Sequence, residues 1–187
     1  PNTVTNAKKN TEIFLNKSKV FQAAIAAALA TTAIVSTMPT PASAVTFKDV
    51  ETVKDAEMKN AIYNLANRGI VTGIGNSNYG TSNSITRAAA AKIIAEMLKL
   101  DTKNVVNPNF KDVPTSQWYY PYVAALANLN IINGYDGKFN PNGNIKRGDM
   151  AKIISEAFSI TSSSTSHPFT DVKSSHYANK YIAALYA

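Results

Sequence analysis

The sequence predicts a mainly α-helical protein made of tandem helix-loop-helix repeats. Three observations carry that prediction. A short landmark, Phe-x-Asp-Val, occurs three times in the 187 residues. Apolar residues between the landmarks recur at helical spacing. The stretches that separate those helical patterns concentrate glycine and asparagine, which punctuate chains as turns.

The first 44 residues read as an address. Lysines 8, 9, 17 and 19 face a single acid, Glu12, and an alanine-rich apolar run follows from Val20 to Met38. It ends in Pro39-Thr40-Pro41-Ala42-Ser43-Ala44. A basic region, a hydrophobic region and an Ala-x-Ala site in that order are the parts of a secretory signal peptide. Cleavage is expected after Ala44, so the membrane is met only transiently, during export. A transmembrane anchor is the alternative. The run is long enough to span, but its hydrophobicity is weak and the Ala-Ser-Ala follows it directly.

The repeats begin at once. Phe47-Lys48-Asp49-Val50 recurs as Phe110-Lys111-Asp112-Val113 and as Phe169-Thr170-Asp171-Val172, at spacings of 63 and 59 residues. Further landmarks keep the same order. Gly69 to Gly73 corresponds to Asn130 to Gly134, Ile85-Thr86-Arg87-Ala88 to Ile145-Lys146-Arg147-Gly148, and Ala91-Lys92-Ile93-Ile94 to Ala151-Lys152-Ile153-Ile154. Self-similarity over several landmarks marks a repeat architecture. The units are expected at 45–104, 105–166 and 167–187.

In the first unit, Met58, Ile62, Leu65 and Ala66 predict a helix over 57–68, stopped by Gly69. A loop over 73–84 follows, with three glycines and three asparagines. A second helix is predicted over 86–100, with Ala90, Ile93, Ile94, Met97 and Leu98 apolar. In the second unit, 119–129 and 147–158 take these parts. The third unit repeats the aromatic-led start of the first helix from Tyr177 to Leu185 and stops at Ala187 inside it. The chain therefore reads as the N-terminal piece of a longer precursor. One helix pair cannot bury both apolar faces, so neighbouring units are expected to pack together.

In each landmark Phe and Val are core candidates. Asp49, Asp112 and Asp171 are placed to accept backbone N–H bonds in a turn or at a helix start. Gly73 and Gly134 hold corresponding turn positions. Trp118, Tyr119, Tyr120 and Tyr122 cluster at a helix start, where packing is the first expectation and sugar stacking the alternative.

Several function classes are excluded. There is no cysteine, hence no disulfide and no thiolate chemistry. The only histidines, His167 and His176, sit in no hydrolase or zinc pattern. Asp136, Asn140, Asn142 and Asn144 crowd one loop, but an EF-hand would need glycine where Pro141 stands and a bidentate glutamate where Arg147 stands. No metal, cofactor or catalytic group is expected. The net charge of +7 suits an anionic partner, yet it is too dispersed for nucleic acid.

These landmarks resemble the S-layer homology domain of bacterial surface proteins. That family's repeat opens with Phe-x-Asp-Val, passes a Gly-Ile-x-x-Gly turn and reaches Ile-Thr-Arg-Ala-Glu at a second helix. The resemblance covers 46–187. It implies a pseudo-threefold bundle of three repeats whose grooves hold a secondary cell wall polymer, a peptidoglycan-linked glycan often bearing pyruvate ketals. It implies non-covalent anchoring of a secreted protein to a Gram-positive-type wall, and an S-layer lattice formed by downstream residues. The alternative is the wall-targeting module of a hydrolase or polysaccharidase. By position, the family's carboxylate-binding arginine becomes Arg87 and Arg147.

The chemistry of that motif is a capping box, with Thr capping the third N–H on and Glu reaching back. The helix start then favours an anion, and arginine adds a planar fork for a carboxylate. Both repeats here depart from it. Thr86-Arg87-Ala88-Ala89 keeps the cap and loses the acid. Lys146-Arg147-Gly148-Asp149 loses the cap and keeps a shorter acid. Thr86, Arg87, Lys146 and Arg147 are the expected ligand positions, and salt bridges between repeats are the alternative for the two arginines.

Overall fold

The computed structural model of the protein describes residues 45–187, and the expected signal peptide over 1–44 lies outside the described residues. Six helices form among them: α1 (Lys48–Glu51), α2 (Ala56–Asn67), α3 (Arg87–Met97), α4 (Tyr120–Asn128), α5 (Arg147–Phe158) and α6 (Asn179–Tyr186). Extended pairing among these residues is confined to isolated bridges, Gly75–Asn78, Thr86–Asn144 and Tyr135–Lys138. The predicted mainly α-helical class is what the chain adopts. The described residues divide into two compact units, 45–85 and 86–187.

In the 45–85 unit, Asp55 caps α2 by accepting from Met58 N at 3.0 Å, so the helix starts one residue before the predicted Glu57. It stops where Gly69, at φ 71°, turns left-handed. Gly69 N then donates to Ala66 O and Ile70 N to Leu65 O, the paired bonds of a Schellman motif. The core is Phe47, Val50, Ile62, Ala66, Ile70 and Val71. Met58, expected on the apolar face, is instead 53% exposed. The entry segment meets α2 one turn later: Phe47 stacks on Tyr63 at 6.1 Å and Glu51 pairs with Lys59 at 2.7 Å.

In the 86–187 unit, α3 packs on α4 and α5, and α5 packs on α6. Alanine makes the first contacts close, because Ala88, Ala90, Ala91 and Ala95 of α3 are all buried. Phe139, Leu126, Ile131 and Val123 fill the centre. The boundary at 85/86 cuts the first sequence repeat between its two helices. α3 buries its apolar face beside helices of the second repeat, as stacked repeats do when one helix pair cannot close its own core.

Candidate functional site

Two of the three landmark aspartates, Asp49 and Asp112, clasp loops. Asp49 Oδ1 accepts from Tyr79 N at 2.8 Å, and its Oδ2 accepts from Gly80 N and Thr81 N at 2.7 and 3.0 Å. Asp112 accepts from Phe139 N and Asn140 N, both at 2.8 Å. Asp171 is exposed on the wall of a groove described below. The three N–H donors, Tyr79 first, hold the Asp49 carboxyl down at about 2. A lowered pKa adds stability above the unfolded value and loses it as pH falls through the folded one. The loop over 79–81 is therefore expected to loosen between pH 3.8 and about 2, seen as a loss of amide protection, relative to the intrinsic exchange rate at each pH, at Tyr79, Gly80 and Thr81. Protection at these amides that is flat across that window would show that the clasp does not hold the loop.

The turn glycines meet the landmark phenylalanines. At Gly73, with φ 76°, a Cβ would lie 2.5 Å from Asn78 O and 2.7 Å from Phe47 Cε1. At Gly134, with φ 65°, it would lie 2.5 Å from Lys138 O and 2.7 Å from Phe110 Cε1. Both positions require a left-handed backbone and the absence of a side chain.

Held this way, the loop over 133–144 receives the start of α3. Thr86 Oγ1 caps the helix, accepting from Ala89 N at 3.2 Å. Arg87 N donates to Gly143 O at 2.8 Å and Ala88 N to Pro141 O at 2.9 Å. These N–H groups, which a helix start can offer to an anion, are satisfied by loop carbonyls.

The Arg87 side chain is anchored three ways. Its Nε donates to Phe139 O at 2.8 Å, its Nη1 pairs with Asp149 Oδ2 at 2.9 Å, and its guanidinium lies 4.9 Å over the Phe139 ring. The side chain is 17% exposed. The salt bridge between repeats, one of the two alternatives for Arg87, is present. Asp149 does not reach back to its own helix start; its other oxygen accepts from the Tyr177 hydroxyl at 2.5 Å.

Arg87 nevertheless lines a groove of about 840 Å³. Lys138, Lys146 and Lys152 line it too, with Asp112, Asp136 and Asp149 as its acids. Tyr135 stands at its wall, 88% exposed. Arg147 lies elsewhere, in a second groove of about 470 Å³ that also touches Lys146, Phe169, Asp171, His176 and Tyr177. The fold thus brings Arg87 and Lys146 into one groove and Lys146 and Arg147 into the other, so that Arg87 and Arg147 lie apart and Lys146 lines both. Trp118 is 55% exposed, edge-on to the buried Tyr119 at 5.3 Å, and lines neither groove.

Tyr135, Lys138, Lys152 and Tyr177 were not singled out from sequence. Lys152 was within reach of it: Lys146, Asp149 and Lys152 recur every three residues, which places them along one side of a helix start. Among the described residues no cluster of His, Asp or Glu is arranged to hold a metal.

The sequence profile of the S-layer homology domain matches residues 46–91, 109–151 and 168–187. The chain is 34% identical to the Surface-layer 125 kDa protein of Lysinibacillus sphaericus over 154 residues, 82% of this chain and 12% of that protein. It is 33% identical to S-layer protein sap of Bacillus anthracis, over 72% of this chain and 16% of the relative. Exoglucanase XynX of Acetivibrio thermocellus is also 33% identical, over 64% of this chain and 11% of the enzyme. The chain spans about an eighth of the length of these relatives.

Proposed function

The chain belongs to the S-layer homology family, and on that footing we propose that it fixes a secreted surface protein non-covalently to the bacterial cell wall by binding an anionic wall polysaccharide. The observation that carries this is the groove of Arg87, Lys138, Lys146 and Lys152. Its four cations against three acids, Asp112, Asp136 and Asp149, leave an excess of one positive charge in a concave site, which favours a guest with fixed negative charge. A pyruvate ketal on an amino sugar supplies a carboxylate for the arginine fork and an adjacent ring for Tyr135. The cargo is an S-layer lattice protein, in line with the names of two relatives. A second cargo, a polysaccharidase tethered by the same module, is favoured by the likeness to the exoglucanase. In both cases the repeats themselves are non-catalytic, and export proceeds through the 1–44 leader with cleavage after Ala44.

The full chain is expected to sediment with isolated wall sacculi and to stay in solution with sacculi stripped of their secondary polymer. Undiminished binding to stripped sacculi would move the ligand to bare peptidoglycan and sink the polymer reading.

Lys146 allows a sharper test, because it occupies an N-cap without capping. Its φ and ψ, −79° and 150°, nearly match the −73° and 156° of Thr86. Lys146→Thr is therefore expected to stabilise the fold by about 1 kcal/mol through a new cap. The same change is expected to weaken polymer binding about tenfold, the worth of one charge-assisted contact. Thermal melts and sacculus binding read the two effects separately. A stabilised variant with undiminished binding would remove Lys146 from the site.

A further inference from the structure

We infer that Asp149 and Tyr177 are positioning residues for the polymer groove, Asp149 holding the guanidinium of Arg87 and Tyr177 holding Asp149. The inference rests on the wall-polymer reading and deepens it. Asp149 divides its two oxygens between two partners: Oδ1 accepts from Tyr177 at 2.5 Å and Oδ2 from Arg87 at 2.9 Å. Arg87, Asp149 and Tyr177 come from the first, second and third sequence repeats. Tyr177 lines the smaller groove and Asp149 the larger one, so their bond joins the two.

The guanidinium has five N–H donors. Two of them go to Phe139 O and Asp149. The contact with the Phe139 ring fixes its plane. Three donors are left for a guest carboxylate, on a group that has already lost its rotational freedom. Such preorganisation raises affinity by lowering the ordering cost at binding. Without the Tyr177 hydroxyl, Asp149 is free to change rotamer and its grip on Arg87 is lost.

A second, independent feature points the same way. Gly148 stands where the family motif has alanine. A Cβ there would meet Ala178 Cβ at 3.0 Å and the Tyr177 hydroxyl oxygen at 3.2 Å. The glycine makes room for the 176–178 segment at the start of α5, and its neighbour Asp149 then takes the hydroxyl. The Tyr177 hydroxyl, pushed up to about 12 by desolvation and by the Asp149 carboxylate, stays a donor throughout the neutral range. The departure from Ala-Glu to Gly-Asp is thereby explained as one coupled change.

The test is Tyr177→Phe in the full chain, which removes one oxygen and leaves the net charge unchanged at neutral pH. Nitrogen-15 NMR of the Arg87 guanidinium reads its rotation without any ligand. Slow rotation is expected in the parent and faster rotation in Tyr177→Phe, while the melting transition stays cooperative. Affinity for a synthetic pyruvate-ketal amino-sugar glycoside is expected to fall about fivefold, the size of one ordinary hydrogen bond. Gly148→Ala, which keeps the hydroxyl but displaces it, is expected to give the same signature. If Tyr177→Phe fails to fold, Gly148→Ala decides alone. Unchanged Arg87 rotation in whichever of these variants folds overturns the inference. Failure of the parent to bind the ketal overturns the wall-polymer reading instead, and the rotation measurement still decides the positioning.

Discussion

Gly134→Ala is expected to destabilise the 86–187 unit by about 3 kcal/mol, through two additive causes. The first is backbone strain, because a non-glycine residue held at φ 65° costs on the order of 1 kcal/mol or more. The second is a steric clash of the kind that overpacking produces, which costs about 1–3 kcal/mol where the neighbours cannot move aside. Here the new Cβ would lie 2.5 Å from a backbone carbonyl, Lys138 O, and 2.7 Å from the Phe110 ring. Neither yields easily: the carbonyl accepts from Tyr135 N at 2.8 Å, and the ring packs on Phe139 at 6.0 Å. For a unit of this size the melting midpoint should drop by roughly 15 °C. Gly137→Ala is the matched control. Its φ is 69°, but its Cβ would meet only the flexible Lys111 side chain, nearest at 3.2 Å, so strain alone remains. If the two variants melt together, the steric account of Gly134 is wrong. The loss should also carry into binding, because the 133–144 loop that this turn begins forms one side of the cationic groove.

Much of this was legible in the sequence because it is local. Helix stops follow from the residues around Gly69 and Asn130, and the cap at Thr86 from a threonine before an alanine run. Asp49 and Asp112 were legible in kind, as acceptors of backbone N–H groups, though not in partner, since Asp49 reaches 30 residues ahead to Tyr79; Asp171 accepts no such bond among the described residues and is exposed. Long-range pairings were the part that could not be read. A capping box predicts that the acid of Lys146-Arg147-Gly148-Asp149 turns back on its own helix start, yet Asp149 bonds Arg87, 62 residues away, and Tyr177, 28 residues away. Helical periodicity placed Met58 and Ile62 on one stripe but could not say where along it the covering segment begins. The rule that a helix start offers open N–H groups fails at α3, where Gly143 O and Pro141 O accept from them. In each case the local rule named the right chemistry, and tertiary packing chose the partner.

That choice of partner decides how Arg87 must be tested. Arg87→Ala is expected to cost about 3 kcal/mol of stability, because it strands Asp149 beside Tyr177, removes the cation from the Phe139 ring and leaves Phe139 O without the N–H it accepts from. Removing one member of a largely buried ion pair typically costs about 3–5 kcal/mol, and the lower figure suits side chains that are 17% and 30% exposed. Lost polymer binding in that variant would therefore mix unfolding with loss of contact. Arg87→Lys separates them. Lysine keeps the charge near Asp149 but is a point donor, unable to bond Phe139 O, Asp149 and a guest carboxylate in one plane. The variant is expected to melt within about 1.5 kcal/mol of the parent, the net worth of one lost hydrogen bond. Its affinity for a pyruvate-ketal glycoside is expected to fall more than about tenfold, since charge-assisted bidentate contacts are about twice as strong as neutral ones. A folded Arg87→Lys protein that binds the ketal as tightly as the parent would mean that Lys138, Lys146 and Lys152 hold the carboxylate. Arg87 would then be only a structural tie between repeats. The predicted split, a small stability loss with a large affinity loss, requires the same guanidinium to hold the fold through Nε and Nη1 and the ligand through its remaining N–H groups.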